Sequence, residues 1–273
     1  MDLNTVRAVV PAATAGPWQP GDAWLAGGTY LFSQPHRHLR RLRDLAGAGW
    51  PALTRTPRGL DIAATCTIAE LARCAASPRT AQRELIRGCC EAFLASFKIW
   101  NTATVGGNVC TALPAGPMIS LGAALDGTCL VIAAGGGRRE LPVAEFVTGV
   151  GTTALVPGEF LRSMTLPAAT LRCRTAFRKG SLSPLGRSAA LLVGRTDPAD
   201  GSFVLTVTAS TVRPVQLRFD AVPSAGTLRE SVTDGIPDDL YVDDVHGLPV
   251  WRRQLTLLFA EQIRTELAGG STR

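Results

Sequence analysis

The amino-acid sequence predicts an α+β protein with two parts, an N-terminal α/β region at residues 1–168 and a smaller C-terminal α+β region at 169–273. Three observations support this prediction. Short apolar runs alternate with helical patterns up to Pro167. Two later segments alternate apolar and polar residues, as antiparallel strands do, and the chain ends with a long amphipathic pattern. With 273 residues, of which 46% are apolar and 18% charged, the chain can bury a hydrophobic core.

The most clearly marked element in the first part is a helix that begins near residue 68. Thr67 and Glu70 have the spacing of a capping box, in which each side chain bonds the backbone of the other residue. Apolar residues then recur at helical spacing, which predicts a helix. The apolar runs that precede it predict three short strands, at residues 6–10, 24–26 and 59–63.

The middle of the chain is predicted to contain a second helix at 81–93, followed by a long, irregular but ordered loop. The loop covers residues 101–117, which are rich in Gly, Asn, Thr and Pro. A short helix at 119–125 and a strand at 129–133 come next. Three consecutive glycines at 135–137 predict a turn after that strand.

The C-terminal region is predicted to pair two strands and to end in a helix. Apolar and polar residues alternate over 202–209 and 215–220, which indicates an antiparallel pair with one face buried. The final helix is predicted at 250–267, with Pro249 suited to its first turn. Its apolar face is formed by residues four positions apart: Trp251, Leu255, Phe259, Ile263 and Leu267.

The chain is basic, with a formal charge of +6 that comes mostly from arginine. A local cluster at Arg37, Arg40, Arg41 and Arg43 has no RNA- or DNA-binding motif beside it, so no nucleic-acid partner is predicted. No window approaches the roughly 20 apolar residues that span a membrane, and the first residues lack the apolar core of a signal peptide. We therefore expect a cytoplasmic protein without a membrane span.

Seven cysteines and three histidines raise the question of disulfides or a metal site. An odd number of cysteines without an export signal argues against disulfides. There is no C-x-x-C pair, and the histidines lie far from the cysteines, so no zinc or iron–sulfur site is expected in this chain. No Ser/His/Asp set or carboxylate pair indicates a catalytic centre either. Any redox chemistry would therefore need a cofactor that these cysteines do not hold.

Residues 25–31, L-A-G-G-T-Y-L, join a predicted strand to two consecutive glycines. Glycine permits positive φ, so several backbone N–H groups can point to one place and bind an anion such as a pyrophosphate. A plain turn would use the same residue types. This segment alone leaves both interpretations open.

Residues 99–110, I-W-N-T-A-T-V-G-G-N-V-C, contain a second glycine pair, Gly106 and Gly107. We expect these glycines to present backbone N–H groups in the same way, with Thr104 and Asn108 adding neutral side-chain donors. A structural Asn–Gly turn is the alternative. The segment is not G-x-G-x-x-G, and no acidic residue lies about 20 positions later, which argues against a Rossmann fold.

Together the two glycine segments resemble the FAD-binding medium subunit of the xanthine dehydrogenase and carbon monoxide dehydrogenase family of molybdenum hydroxylases. The family's first loop reads A-G-G-T-D/N-L, and its second contains T-I/V-G-G-N followed by a proline; residues 26–31 and 99–114 match them in order. Residues 149–167 are similar to the family's segment entering its C-terminal domain. Residues 244–253 are similar to the start of its last helix.

The resemblance implies a PCMH-type FAD-binding domain of two subdomains at 1–168 and a small C-terminal domain at 169–273 with an antiparallel sheet and helices. It implies that the FAD pyrophosphate is held by Ala26, Gly27, Gly28, Thr29 and Leu31, with Tyr30 in the same loop. Thr104, Gly106, Gly107 and Asn108 would bind the rest of the dinucleotide. Lys179 would lie beside the flavin and raise its potential; an ordinary surface lysine is the alternative.

The resemblance also implies an oxidoreductase subunit with no catalytic side chain of its own, because the flavin carries the chemistry. Electrons would come from the [2Fe-2S] clusters of a small partner subunit and pass to NAD+, O2 or another acceptor. The organic substrate would be oxidised at the molybdopterin of a large partner subunit. A stand-alone flavin oxidoreductase of the same fold and a flavin-less scaffold subunit are the alternatives.

Three departures from the family pattern bear on these expectations. Tyr30 replaces a small polar residue, and its ring could stack on the adenine, cover the cofactor or fill the core. Pro117 stands where many relatives have an Asp that binds a ribose hydroxyl, so that contact should be missing. No acidic residue lies between Arg162 and Thr196, where some relatives have an Asp close to the flavin. NAD+ as the acceptor therefore does not follow from the resemblance.

Overall fold

Four β-sheets and their helices make up the computed structural model, which describes residues 3–77 and 82–269. Up to residue 168 the elements are β1 (Ala8–Pro11), β2 (Asp22–Leu25), β3 (Arg41–Asp44), β4 (Leu53–Thr56), β5 (Gly59–Ala63), α1 (Ile68–Ala76), α2 (Arg83–Ala92), α3 (Phe97–Trp100), α4 (Val105–Thr111), α5 (Pro117–Ala124), β6 (Thr128–Ile132), β7 (Arg138–Pro142), α6 (Val143–Phe146), β8 (Val147–Gly149), β9 (Thr152–Thr153) and β10 (Phe160–Pro167). The remaining elements are β11 (Arg174–Gly180), β12 (Ala190–Thr196), β13 (Phe203–Thr208), β14 (Val215–Phe219), α7 (Ala225–Gly235) and α8 (Pro249–Ala268).

Most elements predicted for the N-terminal part are confirmed, with bounds shifted by at most two residues. The strand at 59–63 is confirmed to the residue. The helix from 68 has both arms of its capping box, with the Glu70 amide donating to Thr67 Oγ1 at 3.2 Å and the Thr67 amide donating to Glu70 Oε2 at 2.8 Å. The second helix is confirmed as α2, while residue 81 of the predicted range lies outside the described residues.

The first sheet is parallel, with β3 between β1 and β2, and a buried carboxylate holds it together. Asp22 on β2 accepts hydrogen bonds from Arg41 Nε at 2.8 Å and from Arg43 Nε at 2.8 Å, both on β3. Arg43 is itself buried, and its guanidinium stacks over Trp18 and Trp24. Two arginines of the basic cluster are therefore structural partners of Asp22. They fix β2, the strand that leads into the first glycine loop.

Stability should fall at acid pH because of Asp22. Hydrogen bonds from Arg41 lower the pKa of Asp22 from 3.8 to about 2. The ionised form therefore stabilises the fold fully above about pH 4, and this contribution is lost as the pH falls from 4 towards 2. Asp22→Asn should lower the free energy of unfolding at pH 7 by about 1.5–3 kcal/mol and weaken its dependence on pH in that window. Urea denaturation at pH 7 and pH 3 measures both effects. The exposed Asp234→Asn serves as the control, and equal losses in the two variants would contradict the assignment.

The second sheet is antiparallel, in the order β4-β5-β10-β6-β7, and the helices pack on one of its faces. Its central strand β10 belongs to the segment 149–167 that the sequence associated with entry into the C-terminal domain. The boundary that we propose at residue 168 thus falls between this central strand and β11. Alternate residues of β5 and β10, such as Ile62 and Met164, are buried against the helices.

The third sheet is antiparallel, in the order β11-β12-β13-β14. The predicted pairing of the segments near 202–209 and 215–220 is confirmed as β13 with β14. The prediction that one face of this pair is buried was wrong for β13, whose six residues are all buried. The reason is that α5 packs on one face of the sheet and α8 on the other. The alternation of residue types along β13 therefore distinguishes the face covered by α5 from the face covered by α8, and both faces are buried.

Helix α5 joins the two parts of the protein, and all eight of its residues are buried. Ser120 Oγ lies 2.6 Å from Thr208 Oγ1 on β13. Gln216 Nε2 of β14 donates to the carbonyl oxygen of Ala123 at 2.7 Å. These polar contacts lie within apolar packing between α5, β12 and β13.

Helix α8 is confirmed, but the face it buries differs from the predicted one. Ile263 and Leu267 are buried as expected, whereas Trp251, Leu255 and Phe259 are half-buried. The positions buried in their place are Arg252, Thr256 and Ala260. A polar residue can be buried when its donors find acceptors, and Arg252 finds the carbonyl oxygens of Ala189 at 2.7 Å and Ala209 at 2.8 Å.

Candidate functional site

The two glycine segments lie against each other. An ideal Cβ built on Gly27 would overlap the carbonyl oxygen of Thr102 and lie 3.2 Å from the Cα of Ala103. The first loop therefore rests on the backbone just before Thr104, where the second segment turns into α4. The absence of a side chain at Gly27 is what permits this approach.

The first loop presents backbone donors that the protein does not use. Gly28 has φ of +69°, and the loop carbonyls of Gly28 and Tyr30 accept hydrogen bonds from Phe32 and Ser33 at 2.8 and 2.9 Å. In contrast, the amides of residues 27–30 donate to no acceptor within the described chain. Successive free N–H groups of this kind suit an anionic group such as a pyrophosphate. This donor set fits the cofactor that the resemblance implies.

The second segment is not the irregular loop that was predicted for 101–117. It contains helix α4, whose N-cap is Thr104, and the N-terminus of α5. Gly106 makes this helix possible at its position, because an ideal Cβ there would overlap Ala64 at the end of β5. Composition alone suggested a loop, but close packing of a glycine on Ala64 lets the helix form.

The expectation that Gly106 and Gly107 offer free amides was also wrong. The amide of Gly106 donates to the carbonyl oxygen of Ala64 at 3.0 Å, and that of Gly107 donates to Thr104 Oγ1 at 3.0 Å. Gly106 is buried, so its role is to pack the second segment against the protein interior. Gly107 is half-buried, and the one atom within 4 Å of an ideal Cβ on it is Thr104 Oγ1. What Gly107 offers a ligand is close access to the backbone.

Asn108 links the second segment to α5. Its Oδ1 accepts a hydrogen bond from the Met118 amide at 3.0 Å, which caps a helix that begins at Pro117. Its side-chain amide nitrogen has no hydrogen-bond partner among the described residues, so it remains a donor for a ligand. Pro117 is buried and has no amide or acidic group to offer a ribose.

Tyr30 lies at the surface of the first loop with 45% of its area exposed, so it does not fill the core. Ile99 at the start of the second segment is also exposed, and so are Phe32, which follows the first segment, and Leu94 and Phe97, which precede the second. Apolar side chains therefore lie at the surface in and beside both glycine segments.

Lys179 lies on β11, in the C-terminal sheet, and is half-buried. Arg178 and Gly180 on either side of it face α8, with Arg178 Nη2 donating to Glu266 at 2.7 Å. Lys179 therefore faces the N-terminal part of the protein. Burial lowers the pKa of Lys179, and it forms no ion pair within the described chain. The structure shows no bond between Lys179 and either glycine segment.

The sequence analysis did not identify the residues against which the two glycines pack. Gly106 packs against Ala64, and Gly27 packs against the carbonyl group of Thr102. The small size of the residue at the end of β5 could have indicated the contact with Gly106. The contact with the Thr102 carbonyl could not be predicted, because every residue has a backbone carbonyl. Asn108 was proposed as a ligand donor, and its capping of α5 was missed although Pro117 marks that helix start.

Within residues 3–77 and 82–269, no three His, Cys, Asp or Glu side chains come together as metal ligands. None of the helices described there is both long enough and apolar enough to cross a bilayer.

Comparison with solved structures identifies the same architecture in other proteins. The quinoline 2-oxidoreductase of Pseudomonas putida 86 is 17% identical, with a TM-score of 0.77 and full coverage of both chains. The CO dehydrogenase of Oligotropha carboxidovorans is 17% identical with a TM-score of 0.78, covering 97% of this chain and 99% of that one. The CO dehydrogenase of Hydrogenophaga pseudoflava is 16% identical with a TM-score of 0.79, at 97% and 98% coverage. At these identities the likeness shows the fold, which confirms the predicted α+β class.

Sequence comparison gives the family. A segment of 84 residues is 37% identical to a xanthine dehydrogenase of Oryza sativa subsp. japonica; it covers 29% of this chain and 6% of that protein. The family model for the FAD binding domain in molybdopterin dehydrogenase matches residues 7–169, more than half of the chain. The match includes both glycine segments. The chain therefore belongs to the family of FAD-binding domains of molybdopterin dehydrogenases.

Proposed function

We propose that this chain is the FAD-carrying electron-transfer subunit of a molybdenum hydroxylase. The observation that carries the proposal is the row of unused amides at Gly27, Gly28, Thr29 and Tyr30 beside the second glycine segment. Ala26 and Leu31 flank these donors. A dinucleotide needs such donors at its pyrophosphate, together with close access to backbone.

The other site residues take different roles in the proposal. The free amide group of Asn108 and the hydroxyl of Thr104 donate to the cofactor, while Gly107 leaves room for it. Tyr30 covers the site from the surface, as its exposure allows. Lys179 supplies a partly desolvated positive charge from the C-terminal sheet. Gly106 acts through packing on Ala64.

Bound FAD would supply the chemistry of accepting electrons singly and releasing them in pairs. We propose that the electrons come from [2Fe-2S] clusters of a small partner subunit, and that a large subunit with molybdopterin oxidises the organic substrate. The acceptor is O2 or another oxidant as readily as NAD+, since no acidic residue lies between Arg162 and Thr196. The proposed location is the cytoplasm, which fits seven cysteines that are all unpaired.

The test is the visible absorption spectrum of the purified chain, with the cofactor released by heat and identified. FAD at near one per chain supports the proposal. A colourless chain that takes up no added FAD would contradict it and favour a flavin-less scaffold. Turnover of an electron donor by the chain without partners would instead favour a stand-alone flavin oxidoreductase.

Gly107→Leu is expected to lose FAD while keeping the fold. An ideal Cβ on Gly107 meets just one atom, Thr104 Oγ1 at 3.0 Å, so the added side chain projects into the site more than into the protein. Gly135→Leu is the matched control, because Gly135 lies in an exposed turn with nothing within 4 Å of its Cβ. FAD content is read from the flavin absorbance and folding from far-UV circular dichroism. Stoichiometric FAD in the folded Gly107→Leu chain would show that the second segment does not contact the cofactor.

A further inference from the structure

The face of the second sheet that the helices leave uncovered contains a cavity of about 570 Å³. Strands β4, β5, β10, β6 and β7 all contribute to its lining, and Trp50 borders it. No residue of 26–31 or 104–108 is among the lining residues. The cavity is therefore separate from the proposed FAD site, and its volume lies within the range of small-molecule sites.

A β-bulge aims Arg162 into this cavity. Leu161 pairs with Val131 and Ser163 pairs with Leu130, so Arg162 is an extra residue between the two pairs. Bulges of this kind redirect a side chain and are frequent next to functional sites. The guanidinium of Arg162 lies over the ring of Trp50, with Cζ 4.1 Å from the ring centroid.

Arg162 lacks an acceptor. Its Nη1 is buried and has no hydrogen-bond partner, and it forms no ion pair with any residue in the described ranges. Desolvation lowers the pKa of Arg162, although an arginine remains charged at neutral pH. A buried, charged donor without an acceptor is unfavourable, and a ligand with an anionic group would satisfy it.

Arg58 pairs with Glu140 at 3.0 Å, so these two charges offset each other. Asp61 accepts a hydrogen bond from the neutral Thr165 at 2.9 Å and keeps its charge, whose attraction opposes the effect of burial on the pKa of Arg162. Arg138 lines the cavity and makes no ion pair with a described residue. The lining thus holds three arginines against two carboxylates, an excess of positive charge that favours an anion.

Part of the remaining lining is apolar. Leu130 and Ile132 project from β6 on the same face as Arg162, and both are half-buried. Phe160 stacks against Trp50, with ring centroids 6.0 Å apart. We propose that this cavity binds a small organic carboxylate, with its acidic group on Arg162 and its apolar part on Leu130 and Ile132. The planar guanidinium suits a carboxylate because it can donate two parallel hydrogen bonds.

The test uses benzoate and isothermal titration calorimetry on the full chain. Benzoate is expected to bind one site with a dissociation constant of about 1 mM or lower, while neutral benzyl alcohol binds at least about tenfold more weakly. Arg162→Gln should weaken benzoate binding about tenfold to a hundredfold, the effect of a charge-assisted hydrogen bond. Arg162→Lys, which keeps the charge but not the paired donors, should weaken it less. Arg172→Gln removes an exposed arginine outside the cavity and should change nothing.

Four outcomes would overturn the proposal. The first is no benzoate binding at 10 mM, since a dissociation constant of about 1 mM or lower is expected, and the second is unchanged benzoate binding in a folded Arg162→Gln chain. The third is inorganic phosphate that binds as tightly as benzoate. The fourth is competition between FAD and benzoate for the chain. The last would show that the cavity is part of the flavin site. Because Arg162→Gln should keep the FAD content of the unaltered chain, loss of benzoate binding and loss of the flavin are separate results.

Discussion

Replacing Gly27 by alanine is expected to give a chain that no longer retains FAD. The added methyl group would overlap the carbonyl oxygen of Thr102, which is backbone and cannot rotate away. The first loop must then move off the second segment, and its free amides no longer point to the place that Gly107 leaves open. We expect FAD affinity to fall at least a hundredfold, a loss on the order of 3 kcal/mol.

The measurement is a titration of FAD-free protein with FAD, followed by flavin fluorescence. Gly47→Ala is the matched control, because an ideal Cβ on Gly47 has nothing within 4 Å. Both variants add one methyl group to the N-terminal part. In Gly27→Ala the methyl group meets backbone atoms, whereas in Gly47→Ala it meets none. Equal FAD affinity in the two would show that the contact between the glycine segments does not form the site.

The largest loss of stability is expected for Arg252→Met. Arg252 is 1% exposed and donates to the carbonyl oxygens of Gly247, Ala189 and Ala209, and it forms an ion pair with Asp244. Methionine fills similar space but leaves these acceptors without a donor. Removing one partner of a buried charged network costs about 3–5 kcal/mol. The carbonyls come from the strand ends of β12 and β13 and from the turn before α8, so these elements would separate first.

Thermal and urea unfolding of Arg252→Met would be compared with Arg253→Met. Arg253 is the next residue on the same helix, and its ion pair with Asp238 is at the surface, at 3.2 Å. A surface pair contributes about 0–1 kcal/mol. If the two substitutions destabilise the chain equally, the bonds of Arg252 do not hold the C-terminal part together.

Sequence predicted the elements whose signals are local. The capping box of Thr67 and Glu70 marks the start of α1, and period-two alternation marks β13 and β14. The fold class also followed, since short strands and helices alternate before residue 168. The family resemblance also came from the two glycine segments, and the family model matches residues 7–169, a range that contains both.

What failed depends on contacts between distant residues. Helix α4 forms where composition suggested a loop, because Gly106 packs on Ala64, which is 42 positions earlier in the chain. The buried face of α8 includes Arg252 because acceptors from two other strands surround it. The residue pattern within α4 or α8 does not indicate these distant contacts. The unpaired Arg162 of the uncovered sheet face was missed for the same reason, since its setting comes from a bulge.

The complete burial of α5 has a consequence for how the chain holds together as a unit. The helix P-M-I-S-L-G-A-A has no charged side chain, and its surface is divided between the N-terminal core and the C-terminal sheet. Neither part can cover it alone, and a chain cut at residue 168 would expose one side of it to water. The two parts are therefore expected to melt in a single cooperative transition. The proposed boundary at residue 168 divides the chain by architecture, and we expect the whole chain to unfold as one unit.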